Sequence, residues 1–446
     1  MEKLVYSVVL YVRDDSYLDS LDITTKIIEK EVKENSYELI LVSQNKVKPW
    51  KNRNVLYVKD AFDQIKGEYI LFISADTLMA SESLENMKSM MENNKLIGAV
   101  GPFMNISYFI DQNFHFNQQY RTIDEMEELV KKWQNNNQYK KYYTMHLDDK
   151  CLLVRLSAIR EIGIPDYNLL GIWSADLSIR LMKAGYLLYI CGNAYVHSNK
   201  QAYNGEERLE GDNRFFFKWG FRYIYSMDIR DNLLTMVDIK KDNITVLDCG
   251  CACGGNLMKI HDINPSADLY GVELNSMAAQ VARIWGTILE SDLELCDSLP
   301  WLKKFDIIIM GDILEHLRDT DGVLKKINTW LKPNGTLLLS VPNIMHISIL
   351  KDLIENGRWS YREEGILDKT HVKFFTRKEI IMKLEEAGFK VSKISCTKAY
   401  VDERMKKLIE ALKPVRNADL VDEDYTAYQW LLVATNVNFT SQNIDV

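Results

Sequence analysis

Short, continuous apolar runs alternate with amphipathic stretches along most of the chain. Residues 4–12 and 37–45 are such runs and predict strands, and a third predicted strand ends at Asp76; residues 22–32 between the first two carry apolar side chains at helical spacing. Apolar strands without a polar alternation are typical of a parallel sheet that helices cover on both faces. The same alternation returns after residue 244, so the pattern predicts an α/β protein with two units of this kind.

The length supports two domains, because 446 residues are too many for one ordinary hydrophobic core. The segment between the units begins charged and rich in Gly and Asn, which indicates a loop. Residues 224–237 then show helical spacing and are predicted to form the helix that leads into the second unit. The predicted domains are therefore residues 1–221 and residues 222–440.

Composition excludes several classes of partner and site. The net charge is −8 with acids and bases interspersed, which argues against a nucleic-acid or anionic-membrane partner held by bulk charge. We find no signal peptide and no apolar run long enough to span a bilayer, so we expect a cytoplasmic protein, with a peripheral position at the inner face of the membrane left open. Cys249, Cys251 and Cys253 alternate along the chain and would point to opposite faces, so we expect them to pack around a turn rather than bind metal.

The most specific local pattern begins at residue 244. A short apolar run leads into Asp248, then Gly250 and Gly254, and then a helical segment. A strand that opens a helix through a glycine-rich turn presents free backbone N–H groups, and the glycines let a ligand come close. The next strand, residues 268–274, ends near Glu273, where a carboxylate is placed to accept hydrogen bonds from ribose hydroxyls.

Three further strand ends carry polar residues. Residues 287–292 end at Asp292, and a strand from Phe305 leads into Asp312 and then into Glu315 and His316. A helix over residues 324–331, a turn over residues 332–335, a strand over residues 336–343 and a last strand over residues 429–437 complete the predicted elements of this half.

These residues resemble the class I S-adenosylmethionine-dependent methyltransferases, whose first motif reads approximately D-x-G-C-x-x-G. They do not match the dinucleotide pattern G-x-G-x-x-G. The resemblance covers residues 225–440 and implies a Rossmann-like domain with a mostly parallel seven-stranded sheet and S-adenosylmethionine as cofactor. The cofactor-binding residues that it implies are Asp248, Gly250, Cys251, Gly254, Glu273, Leu274, Asp292, Leu293 and Asp312.

Three histidines fall in segments that could reach the crevice beyond the strand ends: His316, His346 and His371. Histidine has a pKa suited to a general base near neutrality, and we predict His371 first and His316 second in this catalytic role. Two structural alternatives stay open. His316 could orient the start of a helix together with Glu315, and His371 could fix a loop to Asp368.

Residues 357–380 resemble a subset of these methyltransferases that is associated with bacterial cell-surface polysaccharides. This resemblance implies a sugar as the methyl acceptor. The aromatic residues of the segment are predicted either to form a wall against a sugar face or to pack the loop; they are Trp359, Tyr361, Phe374 and Phe375.

The first half resembles family 2 glycosyltransferases of the GT-A fold, an α/β/α domain. The residues that carry the resemblance are Lys66, Gly67, Glu68, Tyr69, Asp76, Asp176, Leu177, Arg180, Gly185, Tyr186 and His197. The resemblance implies that Asp76 and His197 hold a divalent metal, Mn²⁺ or Mg²⁺, that bridges to a nucleotide sugar.

Two of the departures from that family affect residues that its chemistry needs. Ser74 stands where a second metal-binding carboxylate is expected, and hard cations prefer several oxygen ligands. Ser174 stands where the family has its general base, and a serine cannot deprotonate a sugar hydroxyl unaided. Asp176, or the pair Asp148 and Asp149, is a candidate substitute. A structural ion pair between Asp176 and Arg180 is the alternative.

The sequence therefore predicts a methyltransferase that modifies a sugar hydroxyl in bacterial surface glycan biosynthesis, with a glycan or nucleotide-sugar-derived acceptor as partner. Three alternatives remain: a bifunctional enzyme that transfers a sugar and then methylates it, a methyltransferase with a non-catalytic glycan-binding or assembly module, and a methyltransferase for a small molecule or protein side chain.

Overall fold

The computed structural model describes residues 4–32, 36–43, 45–51, 55–199, 205–296 and 301–436. The chain forms two compact units, Met1–Met227 and Asp228–Val446, so the division falls a few residues beyond the predicted boundary at 221. Residues 437–440 of the predicted second domain, including Val437 of the predicted last strand, lie outside the described residues.

The first unit contains a mixed nine-stranded sheet with helices against it. Its strands are β1 (Tyr6–Tyr11), β2 (Tyr37–Ser43), β3 (Val55–Tyr57), β4 (Tyr69–Ser74), β5 (Thr77–Met79), β6 (Ile97–Met104), β7 (Lys141–Tyr143), β8 (Cys151–Arg155) and β9 (Leu187–Ser198). Its helices are α1 (Leu18–Glu31), α2 (Val58–Phe62), α3 (Ser83–Asn93), α4 (Ile123–Asn136), α5 (Leu156–Ile162), α6 (Trp173–Lys183), α7 (Gly205–Trp219) and α8 (Tyr223–Ser226). The strand order is β3-β2-β1-β4-β8-β6-β9-β5, with β7 paired to β9.

The apolar runs of this unit form its central strands. β1 pairs in parallel with β2 and with β4, and nearly all of its side chains are buried, as expected for a strand covered on both faces. β4 ends at Ser74, two residues before the predicted end at Asp76, because Ser74 N donates to Lys150 O and the chain then turns into β5. β5 runs antiparallel to β9, which places Leu78 opposite His197.

The second unit confirms the predicted seven-stranded, mostly parallel sheet. Its strands are β10 (Thr245–Cys249), β11 (Asp268–Glu273), β12 (Thr287–Glu290), β13 (Phe305–Gly311), β14 (Leu331–Pro342), β15 (Phe389–Lys398) and β16 (Ala427–Asn436). Its helices are α9 (Asp231–Leu234), α10 (Gly255–Ile263), α11 (Ser276–Ala282), α12 (Thr320–Trp330), α13 (Ile347–Asn356), α14 (Arg377–Glu386), α15 (Glu403–Leu412) and α16 (Glu423–Thr426). The strand order is β12-β11-β10-β13-β14-β16-β15; β10 to β14 are parallel and β16 is antiparallel to both of its neighbours.

The predicted lead-in helix and the predicted turn before the fifth strand differ most from the structure. The helix predicted over residues 224–237 is interrupted between α8 and α9, where the backbone N–H of Arg230 donates to the Asn256 side chain instead of a helical carbonyl. The turn predicted over residues 332–335 is part of β14, which accommodates Asn334 at a φ of 62° and a shift of register against β13.

Within the part of the chain that the structure describes, no helix has the length and apolar character needed to cross a membrane.

Candidate active site

The glycine-rich turn after β10 lies over a buried carboxylate. Asp248 is 2% exposed, and its Oδ2 accepts a hydrogen bond from Asn256 Nδ2 at 3.1 Å. Burial raises the pKa of Asp248 to about 7, and the negative charge of Glu273 adds to this effect against the hydrogen bond from Asn256. Asn256 Oδ1 in turn accepts from the backbone N–H of Arg230 at 2.8 Å, which ties the lead-in segment to α10.

Gly250 and Gly254 are required by the backbone of this turn. Their φ values are 69° and 87°, in the left-handed region where a side chain is strained. A Cβ at Gly250 would also overlap the Cδ1 atom of Ile313. The N–H groups of Gly250 and Cys251 both donate to Val272 O, so the turn is fixed against β11. The predicted role of these glycines as a close-approach turn is consistent with this geometry.

The Glu273 carboxylate joins the turn to the end of β11. Its Oε2 accepts from the backbone N–H of Ala252 at 2.8 Å, and its Oε1 accepts from that of Asn275 at 2.7 Å. Leu274, the next residue, is 70% exposed, which leaves its side chain free to cover a ligand held beside Glu273. A carboxylate fixed by two backbone donors keeps lone pairs for a hydroxyl ligand in a defined position.

Asp292 and Leu293 follow the third strand, because β12 ends at Glu290 rather than at the predicted Asp292. Asp292 Oδ1 accepts from the backbone N–H of Glu294 at 2.9 Å and so begins a short 3₁₀ turn, while Leu293 is buried in the core. Cys251 is also buried and packs against Gly271, where a Cβ would overlap its Sγ atom.

The Asp312 carboxylate is held by protein donors on both oxygens. Oδ1 accepts from Ser340 Oγ at 2.7 Å, and Oδ2 accepts from Gln429 Nε2 at 2.9 Å and pairs with Arg230 Nη2 at 2.7 Å. Asp312 was predicted to bind cofactor, which stays a prediction; in the structure its side chain also holds Arg230 in place. Sequence reasoning missed Arg230 and Asn256, because nothing in either local sequence shows that the two meet.

Glu315, His316 and His371 converge beyond the end of β13. One ligand-type atom from each, a carboxylate oxygen and two imidazole nitrogens, lies within 4.8 Å of the other two. His371 Nε2 is 4.0 Å from Glu315 Oε1, and the two imidazole rings are 4.8 Å apart in a T-shaped arrangement. The structure therefore brings together the two histidines that we predicted as catalytic, with a glutamate that we did not.

The structural alternative left open for His371 can be compared with the contacts of its ring. His371 Nδ1 donates to the Ile366 carbonyl at 2.9 Å, and its ring makes no hydrogen bond to the Asp368 carboxylate within the described residues. His346 is separate from this cluster, since its Nδ1 bonds the hydroxyl of Ser348 at 2.8 Å at the start of α13.

Part of the predicted aromatic wall forms beside His371. Trp359 and Tyr361 are 42% and 54% exposed, and both rings contact Phe374, at 5.3 and 6.4 Å between centroids. Phe374 lies 6.4 Å from the His371 ring. Phe375 points the other way and is buried in the core, so it is not part of a binding surface.

In the first unit, Asp76 and His197 differ in how their polar atoms are used. Asp76 is buried; Ser74 Oγ donates to its Oδ1 at 2.6 Å, and its Oδ2 has no partner among the described residues. His197 bonds Tyr120 through Nδ1 at 2.6 Å and Asn199 Oδ1 through Nε2 at 3.2 Å, and burial lowers its pKa. Both ring nitrogens of His197 are hydrogen-bonded in this arrangement, and its role as a metal ligand stays a prediction.

Asp176 has the ion-pair role that the sequence left open, and it is not placed as a base. It is completely buried, and its carboxylate is 2.9 Å from Arg180 Nε, 2.8 Å from Lys218 Nζ and 2.9 Å from Trp219 Nε1. Both carboxylate oxygens are thus occupied by donors from the protein. Its position in the fold is therefore that of a structural group.

The neighbouring carboxylates Asp148 and Asp149 also have different surroundings. Asp148 accepts from Ser107 Oγ at 2.7 Å and from two backbone N–H groups, those of Tyr108 and Lys150. Burial raises the pKa of Asp149 to about 8, and the charge of Asp148 adds to it.

Comparison with known families agrees with both halves of the chain. The family model described as a methyltransferase domain matches residues 221–394, and the one described as glycosyl transferase family 2 matches residues 9–163. A ubiquinone biosynthesis O-methyltransferase from Pelagibacter ubique is 30% identical over 126 residues, which are 27% of this chain and 52% of that protein. A phosphoethanolamine N-methyltransferase from Plasmodium falciparum is 30% identical over 145 residues, 31% of this chain and 54% of that protein.

These aligned regions span about half the length of either relative. Among solved structures, S-adenosylmethionine-dependent methyltransferases from Mesorhizobium loti and Archaeoglobus fulgidus align at 16% and 19% identity with TM-scores of 0.33 and 0.34. They cover 46% and 50% of this chain and 96% and 99% of their own. The chain therefore has two α/β units, of which the first contains the match to glycosyl transferase family 2 and the second contains nearly all of the match to a methyltransferase domain.

Proposed function

We propose that the second unit is an S-adenosylmethionine-dependent methyltransferase whose cofactor binds at the carboxyl ends of β10, β11 and β12. The observation that supports it most directly is the Glu273 carboxylate, which the Ala252 and Asn275 N–H groups hold beside the glycine turn. Asp248 and the turn would hold the methionine part, Glu273 the ribose, and Asp292 with Leu293 the adenine. Open α/β sheets bind their ligands at this edge.

The bound cofactor supplies an activated methyl group on a sulfonium. The chain's residues then have to hold an acceptor in line with it, exclude water and receive the proton that a hydroxyl acceptor loses. The cluster of Glu315, His316 and His371 lies beyond β13 with nitrogen and oxygen lone pairs for this purpose. Arg230, fixed by Asp312, lies at the same edge and is a candidate for the cofactor's carboxylate.

We propose a sugar hydroxyl of a bacterial surface glycan as the acceptor. The exposed Trp359 and Tyr361, joined through Phe374 to His371, form the kind of apolar face on which a sugar ring packs. The names of two relatives specify O-methylation in ubiquinone biosynthesis and N-methylation of phosphoethanolamine, so small molecules with an oxygen or an amine acceptor are the competing substrates. A screen of free sugars, glycans, phenols and amines would separate the sugar proposal from the small-molecule alternative.

Calorimetric titration with S-adenosylhomocysteine tests the cofactor site. Glu273→Gln should weaken binding about 10- to 100-fold, because a hydrogen bond to a charged group contributes about 1.5–3 kcal/mol and 1.4 kcal/mol is tenfold. The control is Asp321→Asn, which removes an exposed carboxylate on α12 that pairs with Lys383. If the wild-type protein does not bind S-adenosylhomocysteine, the proposed function is wrong.

A second candidate function is sugar transfer by the first unit, which would make the protein bifunctional. Asp76 supports it, because a buried carboxylate oxygen without a donor suits a cation that bridges to a nucleotide diphosphate. Asp149, with a pKa raised to about 8, would be the base. Asp149 precedes Lys150, whose carbonyl accepts from Ser74 N, so Asp149 and Asp76 both lie next to the paired ends of β4 and β8.

Titration with nucleotide sugars plus Mn²⁺ distinguishes the remaining alternatives. Binding that is lost in Asp76→Asn supports the bifunctional enzyme. Binding of an acceptor glycan without any nucleotide sugar supports a non-catalytic glycan-binding or assembly module.

A further inference from the structure

We propose that Glu315, His316 and His371 form a binding site for one divalent transition-metal ion at the acceptor side of the methyltransferase unit. The three side chains come from two segments far apart in sequence, the 3₁₀ turn after β13 and the loop before α14. The donor set of two imidazole nitrogens and one carboxylate oxygen is the one that proteins use on one face of a metal ion.

The first observation is the hydrogen-bonding state of Glu315. Its side chain is 1% exposed, and neither Oε1 nor Oε2 has a hydrogen-bond partner in the described part of the chain. A buried carboxylate without a hydrogen-bond partner is costly, so such groups are normally paired or coordinate a metal. The Nε2 atom of His371 lies 4.0 Å from Glu315 Oε1, which is too far for a hydrogen bond.

The second observation is the orientation of the two imidazoles. His371 Nδ1 lies 2.9 Å from Ile366 O, and His316 Nδ1 lies 3.3 Å from Thr370 O. A carbonyl oxygen can only accept, so both Nδ1 atoms donate and both Nε2 atoms carry the lone pair. An imidazole that donates its second N–H to a backbone carbonyl is the usual arrangement of a metal-binding histidine.

The third observation is that backbone bonds hold the two segments together without the metal. The N–H groups of Val372 and Lys373 both donate to the carbonyl of Glu315, at 2.9 and 3.0 Å. Residue 371 therefore stays beside residue 315 in any rotamer of the side chains. Asp312 is excluded as a fourth ligand in this arrangement, since Arg230, Ser340 and Gln429 occupy its oxygens.

The donor set selects the class of ion. Imidazole nitrogen suits Zn²⁺, Fe²⁺, Mn²⁺ and their neighbours, whereas Mg²⁺ prefers oxygen ligands throughout. Ligands at about 2.1 Å from one ion stand about 3 Å apart when adjacent, so the three atoms must draw together from their present separations of up to 4.8 Å. His316 is exposed and has the freedom to make most of that movement.

The role of the ion rests on the proposed function. With three protein ligands, the ion would keep open positions for an acceptor oxygen, and it would lower the pKa of that hydroxyl as a Lewis acid. The two histidines would then act as ligands rather than as free bases. A hydroxyl acceptor fits this arrangement better than an amine, which needs no Lewis acid to become nucleophilic once it is neutral.

Titration of Mn²⁺ into the chelator-treated full-length chain, followed by the loss of the electron paramagnetic resonance signal of free Mn²⁺, tests the site directly. The measurement is made in an Asp76→Asn background, so that the first unit does not contribute. We expect one bound ion, and affinity at least about 10-fold weaker in Glu315→Gln and in His316→Ala, since even a second-shell change has an effect of that size. His115→Ala, which removes an exposed histidine of the first unit, is the matched control and should not change the affinity.

The metal site is wrong if the wild-type chain takes up no Mn²⁺, or if uptake is unchanged in Glu315→Gln and His316→Ala. Glu315 and His371 would then remain as an acid–base pair. His316→Ala changes an exposed residue, so misfolding does not compromise that arm. S-adenosylhomocysteine binding is measured on the same samples. If the wild-type chain does not bind S-adenosylhomocysteine, the proposed function is wrong. If it binds S-adenosylhomocysteine but takes up no metal, only the metal site is wrong.

Discussion

Asp176 in the first unit and Glu315 in the second are buried to the same degree, at 0% and 1% exposed. Asp176 is surrounded by donors from Arg180, Lys218 and Trp219, all at 2.8–2.9 Å. Glu315 has no hydrogen-bond partner within the described residues. Burial therefore does not separate a structural carboxylate from a functional one; the partners of its oxygens do.

The same distinction separates the polar groups of the two units. In the methyltransferase unit, the Glu315 carboxylate has no hydrogen-bond partner among the described residues, and His316 and His371 each use Nδ1 to donate to a backbone carbonyl. In the glycosyltransferase-like unit, His197 is bonded through both ring nitrogens, and Asp76 retains one unpartnered oxygen. We infer that the second unit has the more complete site, and the following predictions test this comparison.

The largest effect is expected from Asp176→Asn. It removes the negative charge between Arg180 and Lys218, and breaking a buried ion pair costs about 3–5 kcal/mol. Urea unfolding of the full chain, with hydrogen exchange of peptides from α6 to assign the loss to the first unit, measures it. Asp166→Asn is the control, because Asp166 pairs with the same Lys218 at 3.0 Å but is one-third exposed, and a surface pair contributes below about 1 kcal/mol.

A small effect of Asp176→Asn would remove the structural interpretation of Asp176. It would also return that residue to the candidates for a general base in sugar transfer.

The pH dependence of stability should reveal Asp248 as the next largest effect. Burial raises its folded-state pKa to about 7 from an ordinary 3.8, so between these values the folded chain holds a proton that the unfolded chain has lost. Stability contributed by this group therefore falls as pH rises from 4 to 7, by about 1.4 kcal/mol per pH unit at most.

Asp248→Asn cannot titrate and should lack this slope. The difference in unfolding free energy between the variant and the wild type should grow in the variant's favour by about 2 kcal/mol from pH 5 to pH 7. Glu273 and Arg230, the charged groups that act on Asp248, are unchanged in both proteins. Parallel pH profiles for the two proteins would show that Asp248 is not buried in the way described.

The fold of both units follows from local patterns in the sequence. Residues 69–73 and 305–311 are continuous apolar runs, and both form central strands because only a sheet covered on both faces buries every side chain of such a run. The glycine turn was equally readable, since the φ values of Gly250 and Gly254 require residues without a Cβ. The lead-in helix failed because its break at Arg230 depends on a hydrogen bond to Asn256, 26 positions away.

Site residues at strand ends could likewise be located from local patterns, whereas contacts between distant segments could not. Asp248 and Glu273 sit at strand ends that periodicity locates, so sequence analysis placed them. The partnership of Glu315 with His371 depends on the loop before α14 returning to β13, and the ion pair of Asp176 with Lys218 depends on α7 packing against α6. No local pattern records which distant donor reaches a carboxylate. The sequence could therefore nominate His371 and Asp176 but could not tell a free group from an occupied one.

Gly250→Ala should distinguish a steric effect at the cofactor turn from the effect of backbone strain alone. A methyl group there overlaps Ile313 beside the cofactor turn, so S-adenosylhomocysteine binding should weaken at least about tenfold, or 1.4 kcal/mol. Gly185→Ala is the matched control in the first unit: its φ is 87°, yet nothing lies within 4 Å of the added methyl. It should cost about 1 kcal/mol of stability from strain and leave cofactor binding unchanged. Equal loss of binding in both variants would contradict a local role for the turn.

The smallest effect on stability is expected from Glu315→Gln in chelator-treated protein, and it is the direct counterpart of Asp176→Asn. Gln has the same shape as Glu, and the replaced carboxylate has no hydrogen bond to lose among the described residues. The added amide donors and the removed charge act in opposite directions, so the free energy of unfolding should change by less than about 1 kcal/mol. With Mn²⁺ present, the wild type should become more stable than the variant, because a ligand that binds only the folded state adds stability by mass action. A loss of about 3 kcal/mol without metal would place Glu315 with Asp176 as a structural group, and the contrast between the two units would then no longer rest on their buried carboxylates.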